Sequence, residues 1–197
     1  MAAGAKPGMR LLDCCAAPGG KSFAAAIAMQ NEGSVTSCDI HAHKVSLIEK
    51  GAARLGVSIV HARQADASQF EPEFEAGFDV VIADVPCSGL GVIRKKPDIR
   101  YKDLAPMQKL PQVQAAILEN VSRYVKPGGV LVYSTCTVLK RENENVANAF
   151  LARHPEFRLE VFALPAGLDA QTDGMLTLYP HLHEADGFFI CKLRKNV

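Results

Sequence analysis

Leu11-Leu12-Asp13-Cys14-Cys15-Ala16-Ala17-Pro18-Gly19-Gly20-Lys21 is the stretch on which the fold of this chain turns. The run from Met9 to Cys15 has the length and apolarity of a buried strand. A glycine-containing turn follows, and then helical spacing over Lys21 to Gln30. Strand, tight turn and helix in direct succession is the opening of a βα unit, and the pattern continues outward from it. Val35 to Cys38 predicts a second strand ending in Asp39. Val45, Ile48, Ala52 and Leu55 recur on one helical face until Gly56 stops it. Val57 to His61 and Phe78 to Ala83 read as strands three and four, the fourth ending at Asp84. After a long loop with Pro86, Gly89, Gly91 and Pro97, a helix starts near Pro111 with Val113, Ile117, Val121 and Val125 on one face. Pro127-Gly128-Gly129 ends it, and Val130 to Ser134 is the fifth strand. A helix over Arg141 to Arg153 stops before Pro155. The tail gives Phe157 to Ala163 and Gly187 to Leu193, joined by a Pro/Gly-rich connector. Strict βα alternation predicts an α/β fold, a mostly parallel sheet with helices on both faces. The last two strands, with no helical pattern between them, predict a closing antiparallel hairpin.

At 197 residues this is one α/β domain, 1–197, with no interdomain linker and no internal repeat. The formal net charge of +1 argues against a generic polyanion binder, so contact with nucleic acid has to come from a local patch. No run reaches the length of a membrane span, and Met1 to Lys6 lacks the apolar stretch of a signal peptide. Cys14, Cys15, Cys38, Cys87, Cys136 and Cys191 contain no CxxC pair, and the six histidines show no ligand spacing, so no metal site is expected. Free cysteines within apolar runs suit a reducing compartment, the cytoplasm. Nothing in the sequence bears on oligomeric state.

Ligands of open α/β sheets bind beyond the carboxyl ends of the strands. Ala17, Pro18, Gly19, Gly20 and Lys21 form the first such end, where glycines admit a ligand to the backbone and helix amides offer donors. Asp39 ends strand two, where an acid can grip a ribose diol, and Asp66 follows strand three, placed to meet an adenine amino group. Such an arrangement serves NAD as well as S-adenosylmethionine. The absence of GxGxxG, and a lysine suited to a methionine carboxylate, favour the second. Taken singly, the glycines could be only a tight turn and Asp39 only a helix cap.

Two cysteines also fall just past strand ends. Asp84-Val85-Pro86-Cys87-Ser88-Gly89 follows strand four and Ser134-Thr135-Cys136-Thr137 follows strand five. Carbon 5 of cytosine is a poor nucleophile until a thiolate adds at carbon 6. After methyl transfer, a base must remove the carbon-5 proton before the thiolate can leave. Two thiols and a carboxylate at one sheet edge can fill these roles, although buried cysteines are commonly inert. Beside them, Arg94, Lys95, Lys96, Arg100 and Lys102 concentrate positive charge in the loop after Cys87, as phosphate contacts should, whereas most such runs are solvated surface.

Leu12 to Lys21, Asp84 to Gly91, Arg94 to Ile99, Tyr133 to Thr137 and Asp186 to Phe189, in that order, resemble the NOL/NOP/Sun family of RNA cytosine-C5 methyltransferases. Within it they are most similar to the bacterial Sun/RsmB-like branch, which modifies small-subunit (16S) ribosomal RNA. The resemblance implies a Rossmann-like class I S-adenosylmethionine-dependent methyltransferase fold with a seven-stranded sheet. It makes Cys136 the nucleophile and Cys87 the thiol that assists breakdown of the adduct. Asp84 then lies near methyl donor and base, and Gly19, Lys21, Asp39 and Asp66 are cofactor contacts. DNA cytosine-C5 methyltransferases use the Pro-Cys cysteine as nucleophile, which makes Cys87 the alternative for that role. Members of the branch carry an N-terminal NusB-like RNA-binding domain and a segment before the first strand. Neither stands ahead of Met9, so the sequence is read as the catalytic domain alone. A non-catalytic RNA-binding module of the same fold, or a methyltransferase for another RNA, are the alternatives.

Overall fold

The computed structural model describes residues 2–103, 105–164 and 172–197. Five parallel strands, β1 (Arg10–Asp13), β2 (Ser34–Asp39), β3 (Val60–Gln64), β4 (Phe78–Asp84) and β5 (Val125–Thr135), build the sheet. The seven expected strands are all present, and an eighth joins them. β8 (Phe188–Lys195) runs antiparallel to β5, with β6 (Phe157–Leu159) and β7 (Met175–Leu178) end to end along its outer edge. The order is β3-β2-β1-β4-β5-β8-β6. Part of the Pro/Gly-rich connector, 165–171, lies outside the described residues.

The helices divide between the faces. α1 (Gly20–Ala28) and α2 (Ala42–Leu55) bury Phe23, Ala25, Ala26, Ile48 and Ala52 against Leu11, Val80 and Val132. α3 (Leu110–Ser122) and α4 (Glu144–Arg153) bury Ile117, Leu118, Val121, Ala147 and Phe150 against Leu12, Val81 and Leu131. Adjacent β1 residues Leu11 and Leu12 thus serve opposite faces, as strand alternation requires. Burying each stabilises the fold by about 1.5–3 kcal/mol. Among the described residues no helix is long and apolar enough to cross a membrane, and no group of three or more His, Cys, Asp or Glu could hold a metal ion.

Three element starts and the buried face of α3 differ from the sequence expectations, each for a local reason, and β6 ends at Leu159, short of the expected Ala163. β3 starts at Val60, not Val57, because Gly56 (φ 67°) closes α2 and Val57 donates its N–H to Ala52 O at 3.1 Å. Val57 is the apolar residue of that helix stop, not of a strand. Pro127-Gly128-Gly129 lies inside β5 as a bulge. Phe78 pairs with Val125 and Val80 with Val130, so Val125 belongs to the strand and not to the α3 face. The buried face of α3 is Gln114, Ile117, Leu118 and Val121, while Val113 is 44% exposed. α4 begins at Glu144, not Arg141, because Glu142 and Asn143 turn inward and are fully buried.

Candidate active site

The register of the strands brings their carboxyl ends to one edge. Asp13 lies opposite Ser37 and Ile82, Asp39 opposite Gln64, and Asp84 opposite Ser134. β4 and β5 are neighbours, so the loops bearing Cys87 and Cys136 leave the sheet side by side.

At the β1 end, Ala17, Pro18 and Gly19 lead into α1, whose first residues are Gly20 and Lys21. Gly19 has φ 109°, and a Cβ there would lie 2.3 Å from the Phe23 ring, so the turn requires glycine. A Cβ on Gly20 meets nothing within 4 Å, which leaves open space in front of the helix N-terminus. Beneath the turn, Ser22 Oγ donates to Asp13 Oδ2 at 2.7 Å and Ser37 Oγ to Ser22 Oγ at 2.7 Å. Burial raises the Asp13 carboxyl to about 6, against the opposing effect of the Ser22 hydrogen bond. Asp39 is buried at the end of β2 and accepts the His41 N–H at 3.0 Å through Oδ1. Asp66 accepts the N–H and the hydroxyl of Ser68 through Oδ1, at 2.9 and 2.7 Å. In both acids one oxygen anchors the local turn, and the other has no hydrogen-bond partner among the described residues. Asp39 is therefore not the cap of α2: the N-cap is His41, without a side-chain cap hydrogen bond, and Asp39 only closes the turn that leads into it.

Lys21 reaches the other way from the sequence expectation. Its ammonium pairs with Asp84 Oδ2 and lies 5.4 Å over the Phe188 ring. The second Asp84 oxygen accepts from Ser134 Oγ at 2.7 Å. Lys21 therefore joins the glycine turn to the cysteine loops, a link that residue types alone did not suggest.

Cys87 Sγ and Cys136 Sγ stand 3.2 Å apart, both half-buried. Two sulfurs so close share protons unequally. The hydrogen bond from Cys87 lowers the pKa of Cys136 below the ordinary thiol value, against burial and the charge of Asp84, with Lys21 assisting. The same bond, with burial, raises Cys87. Burial also pushes Cys14, Cys15 and Cys191 up, and Cys38 to about 12. Of the thiols whose values move, Cys136 alone moves toward the reactive thiolate.

The loop after Cys87 folds back over the thiols. Gly91 donates its N–H to Cys136 O at 2.9 Å, and Gly187 donates to Gly91 O at 2.7 Å. Lys102 Nζ donates to Ser88 O at 3.2 Å, and Lys95 pairs with Asp186 at 2.6 Å. The Arg100 guanidinium lies 5.4 Å over the exposed Tyr101 ring. Arg94 and Lys96 are exposed. Val92, Lys96, Asp98, Ile99, Tyr101 and Lys102 thus wall a cleft with Cys87 and Cys136 at its base.

Sequence reasoning missed the residues buried behind this cleft, Gln114, Glu142 and Asn143. The signal for Gln114 was a polar residue at an apolar heptad position of α3. For Glu142 and Asn143 it was polar residues placed where α4 was expected to have begun.

Residues 2–194 match the family model described as 16S rRNA methyltransferase RsmB/F. The chain belongs to that family. Among RsmB/F relatives, the probable ribosomal RNA small subunit methyltransferase B of Bacillus subtilis (strain 168) is 47% identical over 193 residues, 94% of this chain and 43% of the relative. Ribosomal RNA small subunit methyltransferase F of Erwinia tasmaniensis is 34% identical over 191 residues, 94% of this chain and 40% of the relative. The structure of NSun6 from Pyrococcus horikoshii with SFG is 32% identical with a TM-score of 0.83, covering 96% of this chain and 48% of that one. The chain spans about two fifths of the length of these two curated relatives, 43% and 40%. The fold is that of S-adenosylmethionine-dependent methyltransferases, and S-adenosylmethionine is the cofactor of the family.

Proposed function

We propose that this chain is the catalytic domain of an enzyme that methylates carbon 5 of a cytosine in small-subunit ribosomal RNA, with Cys136 as nucleophile and Cys87 as the thiol that assists release. The observation that carries this reading is the pair of sulfurs 3.2 Å apart beside Asp84, at the ends of adjacent strands. An enzyme methylating a ring nitrogen or an exocyclic amine has no use for two thiols at that place.

The residues at the β1 and β2 ends fit S-adenosylmethionine. The α1 N-terminus at Gly20 would hold its methionine part, the free oxygen of Asp39 would accept from the ribose, and that of Asp66 would accept from the adenine amine. When bound, the cofactor supplies an electrophilic methyl group. Cys136 adds to carbon 6 as the thiolate, which its hydrogen bond from Cys87 and the nearby Lys21 favour. Addition makes carbon 5 enamine-like and nucleophilic. Asp84, fixed by Lys21 and Ser134, is close enough for its charge to act on Cys136, and orients the base. Once carbon 5 carries the methyl group, its proton must go to a base, and the carbon 6–sulfur bond then breaks with return of the electron pair to Cys136. Cys87, which keeps its proton and is hydrogen-bonded to that sulfur, assists as a donor to the departing thiolate, while the carbon-5 proton leaves to solvent in the open cleft. The target cytosine has to be unpaired or flipped for its face to reach the cleft. The basic loop then lies along the flanking phosphates.

Methyl transfer from labelled S-adenosylmethionine to unmodified small-subunit RNA, followed by nucleoside analysis, tests the reading. The expected product is 5-methylcytidine, and any other methylated nucleoside overturns the assignment. Replacing Arg94, Lys95 and Lys96 together by alanine should weaken RNA binding and reduce its salt slope by up to about 2. An unchanged slope returns the loop to solvated surface.

A further inference from the structure

The two thiols face each other across loops that leave different strands and share no covalent link, so some other contact has to fix their separation. Ser88, next to Cys87, is fully buried and has every polar group engaged. Its N–H donates to Glu142 Oε2 at 2.8 Å, its hydroxyl meets Thr137 Oγ1 at 2.8 Å, and its carbonyl accepts from Lys102. Glu142 Oε2 also accepts from Gln114 Nε2 at 3.0 Å, and the same amide group donates to Pro86 O at 2.9 Å. Glu142 and Gln114 therefore hold the Cys87 loop on both sides of the cysteine. The next residue holds the other loop: Asn143 Nδ2 donates to Thr137 O at 3.0 Å, and its Oδ1 accepts from Thr135 Oγ1 at 2.5 Å. The Tyr133 hydroxyl fixes the main chain of the pair by donating to Glu142 O.

Packing does not explain this choice of residues. Among the described residues Glu142 Oε1 and Gln114 Oε1 are buried without a partner, and a buried polar atom left unpaired destabilises a fold. Apolar side chains of similar size would fill the same space without that loss. The arrangement makes sense when the acceptor oxygen of Glu142 is needed for what it holds.

We propose that Glu142-Asn143 is a positioning wedge, in which Glu142, supported by Gln114, grips the Cys87 loop and Asn143 grips the Cys136 loop, so that the two sulfurs stand at reacting distance. Neither residue touches the reacting atoms. The inference rests on the two-thiol reading above for its purpose, but its test needs neither RNA nor cofactor.

The purified chain is treated with diamide, which takes one hydrogen from each thiol and is reduced to its hydrazine as the disulfide forms. Peptide mass analysis follows the rate of the Cys87–Cys136 bond, with Cys87→Ala and Cys136→Ala as blanks. Glu142→Leu removes the acceptor and should slow the bond by at least about tenfold, since loss of alignment of about 1 Å carries penalties of that size or larger. Glu142→Gln keeps a carbonyl oxygen for both donors and should stay within about threefold of wild type. Gln114→Leu leaves the Ser88 contact intact, should fall between them, and serves if Glu142→Leu does not fold. Thermal unfolding of each variant shows that it is folded at the assay temperature. Wild-type rates in folded Glu142→Leu or Gln114→Leu, or equal slowing by Glu142→Gln and Glu142→Leu, overturn the wedge. If the disulfide rates follow expectation while the chain methylates no RNA, the wedge stands and the catalytic reading falls. The opposite pair of results removes the wedge alone.

Discussion

The two halves of the sheet edge hold their functional residues in different ways. At the β1–β3 end, the acids are fixed by their near neighbours, Asp39 by His41 and Asp66 by Ser68, each two residues away. At the β4–β5 end, Cys87 and Cys136 are 49 residues apart in the chain, and Ser88 depends on Glu142, 54 residues away. A site built from local turns tolerates change elsewhere in the fold. A site built from long-range buried contacts is only as precise as the packing behind it, so substitutions at the two ends should differ in how far their effects spread.

The largest contrast should come from glycines. A Cβ on Gly91 would lie 2.0 Å from Gly187 O and 2.8 Å from Cys136 O, whereas one on Gly20 meets nothing. Gly91→Ala should destabilise the protein by about 3 kcal/mol, a fall in Tm of roughly 6–12 °C for a chain of this size. Gly20→Ala should leave Tm within about 2 °C of wild type. Calorimetric unfolding of both variants checks this, and equal Tm values would erase the distinction between the two ends.

Asp13 provides a comparable effect confined to the first end. Its carboxyl is raised to about 6 in the folded state by burial, from 3.8. Raising a carboxyl pKa favours the neutral form, so this contribution to stability is complete below about pH 4 and lost as pH rises through 6. Wild type should therefore lose about 3 kcal/mol relative to Asp13→Asn between pH 4 and 7. Denaturant titrations of both proteins across that range measure it, and parallel curves would show that the buried acid does not titrate there.

A smaller effect is expected from Asp39→Ala. Losing a ribose contact to a buried carboxylate should weaken S-adenosylmethionine binding by about tenfold or more. Because Asp39 is held locally, the rate of the diamide-driven Cys87–Cys136 bond should not change. Isothermal calorimetry beside the thiol assay separates the two readouts. Equal cofactor affinity rejects Asp39 as a ligand, and an altered thiol rate means that the ends are coupled.

The same local and long-range division explains what the sequence could show. The β1 turn, Asp39 and the two thiols could be placed at the sheet edge because each stands at or just past the end of an apolar run, and Asp66 because it follows the strand pattern by a few residues. The neighbouring placement of Cys87 and Cys136 followed from strand order. Lys21 pairing with Asp84 across 63 residues was not legible, nor was the inward turn of Glu142 and Asn143, since both depend on tertiary contacts. Helical periodicity assigned Val113 and Val125 to the buried face of α3 because it weighs only hydrophobicity. It could not see that Gln114 is buried to hold Pro86 O, or that Val125 pairs with Phe78. β7 was missed because its apolar stretch, Met175–Leu178, is only four residues long and only partly buried, inside what read as a Pro/Gly-rich connector.

The central claim is the division of labour between two thiols in contact. The direct measurement is a denaturing gel of wild type, Cys136→Ala and Cys87→Ala after incubation with small-subunit RNA and S-adenosylmethionine. Cys136→Ala should give no methylation and no covalent band. Cys87→Ala should form the bond to carbon 6, stall before release, and migrate as a protein–RNA adduct. A trapped band from Cys136→Ala with none from Cys87→Ala would contradict the account and make Cys87 the nucleophile.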